Sequence, residues 1–211
     1  MTVAVTITLR GMRRSAARTL AAVPIAAAAT NGVAAIALAT VLAPGVSLSY
    51  GPDNATYVAA HLGVWRAGWA LWIVAALALL AFFAWWATRA GSPHARWIAR
   101  IAVAVGALGV GADLMAEARL IAWSADLDVS GALRQSGVVA NACYSLAGAL
   151  LMHATPGWPR SLAVWGWAVW ILGIGLTLAA ATSSDVGSQV LTTAIFVLFV
   201  PWLVVAGRWL S

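Results

Sequence analysis

Two carboxylic acids, Asp113 and Glu117, stand four residues apart inside a stretch apolar enough to lie in a membrane. The stretch runs from Ile98 to Trp123 and reads IARIAVAVGALGVGADLMAEARLIAW. A helix needs roughly 20 apolar residues to cross a bilayer core. A carboxylate at that depth costs about 2.5–3.5 kcal/mol on insertion scales, so it is expected to face the bundle interior or water. Two kinds of chemistry suit such a group. A carboxyl set beside tryptophan, away from water, can act as a general acid. An intramembrane carboxyl can also take up and release the proton that drives transport. Asp113 and Glu117 are therefore the candidate catalytic or proton-handling residues.

Helical periodicity says which way the acids point. Ala102, Gly106, Gly109, Asp113 and Glu117 follow a 4-3-4-4 spacing and share one stripe. Small residues on such a stripe let neighbouring helices approach closely. The opposite stripe, Val103, Val110, Leu114 and Ile121, is expected to meet lipid.

The elements that must position these acids are six spans. The first runs from about Leu20 to Ala43, with Asn31 near its middle. Residues 44–57 are rich in turn formers and read as a loop. The second span runs from about Val58 to Ala90, the third is the acid-bearing one, and the fourth runs from about Gly131 to Ala154. The fifth runs from about Ser161 to Thr182. The sixth runs from about Gln189 to Trp209, with a kink expected at Pro201. The fold class is thus all-α, a polytopic membrane domain over residues 20–211. A basic segment, residues 1–19, precedes it, and Met12 offers an alternative start.

Spans three and four form an antiparallel hairpin about a turn near Leu127. Counting equally from that turn sets Asp113 level with Asn141 and Glu117 level with Gly137. At 1.5 Å per residue, roughly ten residues from the helix end place Asp113 at about 15 Å, near mid-bilayer. Arg134, Asn141, Ser145 and Met152 share a stripe of span four, with Tyr144 beside it. The expected contacts are a hydrogen bond between Asn141 and Asp113 and an ion pair between Arg134 and Glu117. In span two, His61, Trp65, Trp69 and Trp72 fall on one broad face. Together these predict a pocket with a floor of Asp113, Asn141 and Asn31 and walls of tryptophan. Its mouth would be His61, Glu117, Arg134 and Arg66. Trp69, Trp72 and Trp170 lie too deep for the membrane interface, so they are packing residues or an aromatic cradle. Trp86, Trp97, Trp123, Trp158 and Trp209 are placed as an interfacial belt.

The loops carry a consistent charge bias. Arginines mark the N-terminal segment, the 2–3 turn, the 4–5 turn and the C-terminus. Acids mark the others, through Asp53, Asp126, Asp128 and Asp185. The positive-inside rule then places both termini in the cytoplasm. Gly68-Trp69-Ala70-Leu71-Trp72-Ile73 in span two resembles Gly166-Trp167-Ala168-Val169-Trp170-Ile171 in span five. With three spans per unit, such a likeness suggests a 3+3 inverted repeat, a transporter arrangement.

Composition excludes much else. Of 211 residues, 63% are hydrophobic and 9% charged, which no water-soluble domain of this length shows. All twelve basic residues are arginine, so no lysine is present to form a Schiff base. The net charge of +6 follows from topology and does not call for nucleic acid. His61, His94 and His153 sit at different depths and cannot converge, which argues against a histidine metal cluster or a bis-histidine haem. Cys143 is the single cysteine, and no phosphate loop or diphosphate-binding acid cluster is present. No metal or cofactor is expected, and the partner is the lipid bilayer. The alanine and arginine bias points to a bacterial cytoplasmic membrane.

Three functions fit these residues. The first is a pocket for an isoprenoid or lipid-like molecule, with Asp113 as proton donor for a cyclisation or isomerisation. Glu117 and Arg134 would orient, and Trp65, Trp69, Trp72 and Tyr144 would line the wall. The second is proton-coupled transport of a small solute. The third is a structural subunit whose polar pairs only hold helices together.

Overall fold

The computed structural model describes residues 22–124 and 126–211. The basic segment 1–19 and the opening of the first span lie outside the described residues. The described chain is helical throughout, with six helices long and apolar enough to cross a membrane. They are α1 (Ala22–Gly45), α3 (Leu62–Ala87), α4 (Pro93–Ile121), α5 (Val129–Ala154), α6 (Arg160–Ala181) and α7 (Asp185–Leu210). A short helix, α2 (Pro52–Ala60), sits between the first two spans.

The residues 44–57 expected as loop therefore contain a helix start. Pro52 occupies the first turn, where a missing N–H costs nothing. Asn54 accepts from the Gly51 backbone N–H at 3.1 Å, which fixes the chain entering α2. At the other end His61 leaves helical geometry and divides α2 from α3. Ser92, Asp128 and Ser184 cap α4, α5 and α7 by accepting backbone N–H groups of the first turn. α7 runs on through Pro201.

The helices α3 to α7 pack each against the next in chain order. α1 closes the ring. Gly207 of α7 faces Pro24 so closely that no side chain would fit. On the other flank, Leu42 fills the space before Gly68 of α3, and Asn31 donates to the Ala75 carbonyl at 3.3 Å. Gly106 and Gly109 of α4 lie against Phe83 and Tyr144, which is why α3, α4 and α5 meet so closely.

The two ends of this bundle differ in what fills them. At the end bearing Arg89 and Arg160 the core is aromatic. Trp202 is the hub, with Trp86 and Trp170 each 5.6 Å away, centroid to centroid, and Phe82, Trp158 and Phe199 just beyond. Two of the buried indole N–H groups find partners, Trp86 donating to Thr155 Oγ1 and Trp202 to the Leu162 carbonyl, whereas those of Trp85, Trp158 and Trp170 have none. Trp86 is thus a core residue, not a belt residue, because the helix ends here pack on one another. At the opposite end the core is mainly aliphatic, built on Leu42, Val58, Leu120, Val129 and Leu133 around Trp65 and Trp69. There the connections are tied together. The Asp185 carboxylate accepts from the Ser47 hydroxyl and the Leu48 N–H, and Tyr50 N–H donates to Ser130 Oγ.

On α4 the stripe from Ala102 to Glu117 is buried. The opposite stripe needs correction: Val110 is buried, Val103, Leu114 and Ile121 are half-buried, and Trp97, Leu108 and Met115 are the large apolar residues that face outward. α4 packs on both α3 and α5, so its exposed arc is narrower than a single-sided helix would leave.

Candidate functional site

A cavity of about 210 Å³ lies inside the ring, and all six spans contribute to its wall. Trp69, Trp72, Trp170, Phe196 and Phe199 give it an aromatic lining. Trp65, Trp69 and Trp72 stand edge to face in a column, with centroids 5.5 and 6.3 Å apart. The ring of Trp72 meets Phe196 of α7 at 5.6 Å. Trp170 lies flat on Gly148, where even a methyl group would collide with the indole.

Asp113 is the only acidic residue on this wall, and no arginine or histidine lines it among the described residues. The side chain is held from both sides: Ser136 donates to Oδ1 and Tyr144 to Oδ2, the latter at 2.8 Å. Both hydroxyls come from α5, eight residues apart. At about 100° per residue, residues eight apart on an α-helix diverge by about 80°. They do not diverge here because Ser136–Ala140 forms a π turn. Such a turn takes up one extra residue, so Ser136 and Tyr144 stand as residues seven apart, within about 20° of one another.

The same turn overturns the expected partners. Between Arg134 and Asn141 it takes away about 100° of rotation, turning Arg134 away from the stripe. Arg134 is exposed and forms no ion pair with Glu117. Asn141 does not bond Asp113 either. It donates to the Gly137 carbonyl, inside the irregular turn, at 3.2 Å. Asn141 nonetheless lines the cavity, as do Asn31 and Tyr144.

Glu117 lies one turn along α4 from Asp113. It is fully buried, and neither carboxyl oxygen has a hydrogen-bond partner. It is not part of the cavity wall. The expected mouth residues lie elsewhere too. His61 is exposed, stacked on Tyr57 at 4.4 Å. Trp65 and Arg66 end α4, donating to the Leu120 carbonyl at 2.7 Å and the Ile121 carbonyl at 3.0 Å. Those carbonyls are among the last of a helix, which lack partners within it and attract positive charge. Trp65 thus backs the aromatic column without lining the cavity.

Sequence reasoning missed Ser136, Ser188, Phe196 and Phe199 as wall residues. The signal for Ser136 was weak: a Ser-Gly pair, Ser136-Gly137, opening a run of valines. Among the described residues no group of three or more histidine, cysteine or acidic side chains could hold a metal ion. No protein-family model, curated protein or solved structure matches this chain at a significant level.

Proposed function

We propose that this multi-pass protein binds a hydrophobic small molecule of the isoprenoid or lipid-like class in its central cavity. One observation carries the reading. A space walled by all six spans is lined by six aromatic residues and holds one carboxyl group, hydrogen-bonded from both sides. Largely apolar, concave sites with a few convergent polar groups are where small ligands bind. Asp113 is the acidic group on the wall, so acid–base chemistry on a bound molecule, such as an isomerisation or a cyclisation, would pass through it.

The connections carrying Arg89, Arg96 and Arg160, with Arg208 at the last helix end, lie opposite the acidic connections, although Arg66, Arg119 and Arg134 sit toward the acidic end; the connection charges support cytoplasmic termini. One feature supports the inverted repeat: Trp72 and Trp170, at matching places in the two similar motifs, both line the cavity. Transport draws on a separate observation. Asp113 and the fully buried Glu117 follow one another along α4, the order in which a proton relay needs its carboxyls.

The test is mass spectrometry of an organic extract from the detergent-purified protein. A stoichiometric hydrophobic molecule, lost in Trp72→Ala while the variant stays folded, is the expected result. Bulk lipid alone, identical in both proteins, would overturn the binding reading and leave transport to be tested by proton flux in liposomes.

A further inference from the structure

We infer that the cavity ligand carries a positive charge, as a lipophilic ammonium cation. The inference rests on the cavity being a binding site and adds the chemistry of its occupant. Charge balance is the first argument. Two acids, Asp113 and Glu117, are buried one turn apart, and no basic side chain among the described residues pairs with either. Arg134 is exposed, and Arg66 holds the end of α4. Intramembrane acids ordinarily pair with one another, with backbone groups or with a functional partner. Asp113 has two hydroxyl donors but no counter-charge, and Glu117 has no hydrogen-bond partner. The site thus offers an acceptor carboxyl to the cavity, Asp113, with a second acid behind it and no basic side chain among the described residues to meet either.

The wall is the second argument. Trp69, Trp72, Trp170, Phe196 and Phe199 present rings to the same space. Aromatic faces attract cations, tryptophan most strongly, and more so where water is displaced. Rings about a carboxyl form the arrangement that recognises substituted ammonium groups. A neutral hydrocarbon would fill the space but leave the acid uncompensated. An anion would meet Asp113 without any basic group to offset it.

The test compares benzyltrimethylammonium with neopentylbenzene, which replaces the charged nitrogen by carbon in nearly the same shape. The quaternary ammonium has no proton to lose, so its charge is fixed. Equilibrium binding of each is measured on the full-length protein in lipid nanodiscs. The cation is expected to bind the wild type about tenfold or more tightly than the neutral probe. Asp113→Asn should cut that preference severalfold, the remainder coming from the aromatic wall. The amide can still accept from Ser136 or Tyr144, and the melting temperature of the variant serves as the folding control. Trp72→Ala should weaken both probes. Equal binding of the two probes to the wild type would overturn the charge inference and leave the pocket standing. Failure of both to bind, with a clean organic extract, would overturn the pocket as well.

Discussion

The two ends of the bundle are built on opposite principles. Around Trp202 the helices keep α geometry, even through Pro201, and rings pack on rings; the indole N–H groups of Trp86 and Trp202 have acceptors, while those of Trp85, Trp158 and Trp170 are shielded by packing alone. Around Asp113 the helices depart from α geometry, through the π turns Leu38–Leu42 and Ser136–Ala140 and the break at His61. That half also holds both buried acids. Close aromatic packing gives stability; irregular backbone and unpaired acids lower it and persist where they have work to do. The difference assigns holding the bundle together to one half and the site to the other.

The comparison can be broken from either side. The largest effect is expected for Trp202→Ala, which should lower stability by about 3–5 kcal/mol in detergent unfolding, the cost of emptying a buried tryptophan position. A loss below about 1 kcal/mol would show that the aromatic half does not carry the bundle. Gly148→Val should cost about 1–3 kcal/mol, because its side chain enters the space of Trp170. It should also weaken probe binding, since Trp170 belongs to both the core and the wall. Ser136→Ala should cost about 1 kcal/mol, one hydrogen bond, and alter the infrared carboxyl signal of Asp113. An unchanged signal would remove Ser136 from the site. The smallest effect has the opposite sign. Glu117→Met should leave stability equal or raise it by about 1 kcal/mol, since replacing a buried charged group by an apolar one of similar volume often does so. A clear loss of stability would mean that Glu117 is satisfied by a partner and that the contrast between the halves is overstated.

How much of this was legible depended on how regular the backbone is. The six spans were legible because each is a long apolar run bounded by turn formers. The depth count along the α4–α5 hairpin brought Asp113 and Asn141 to one level, and both line the cavity. The count assumed an unbroken α-helix, so it failed for direction at Arg134, where a π turn left no trace in the apolar periodicity. Helix α2 was read as loop because Pro52, Asp53 and Asn54 are turn formers as well as helix starters. Trp86 was assigned to the membrane interface because position along a helix does not tell what packs on its end.

The Asp185 carboxylate holds Ser47 and Leu48 in place, and Val46 and Leu48 also line the cavity. The five connections between the spans are thus not equal: the one after α1 is latched to the first residue of α7. For the occupant proposed here, departure past Val46 and Leu48 would have to strain that latch before it strained any helix. Ser47→Ala, which removes one of its two bonds, is therefore a change to watch in the dissociation rate rather than in the affinity. Residence time and recognition would then be written in different parts of the chain, one in a loop and the other in the wall.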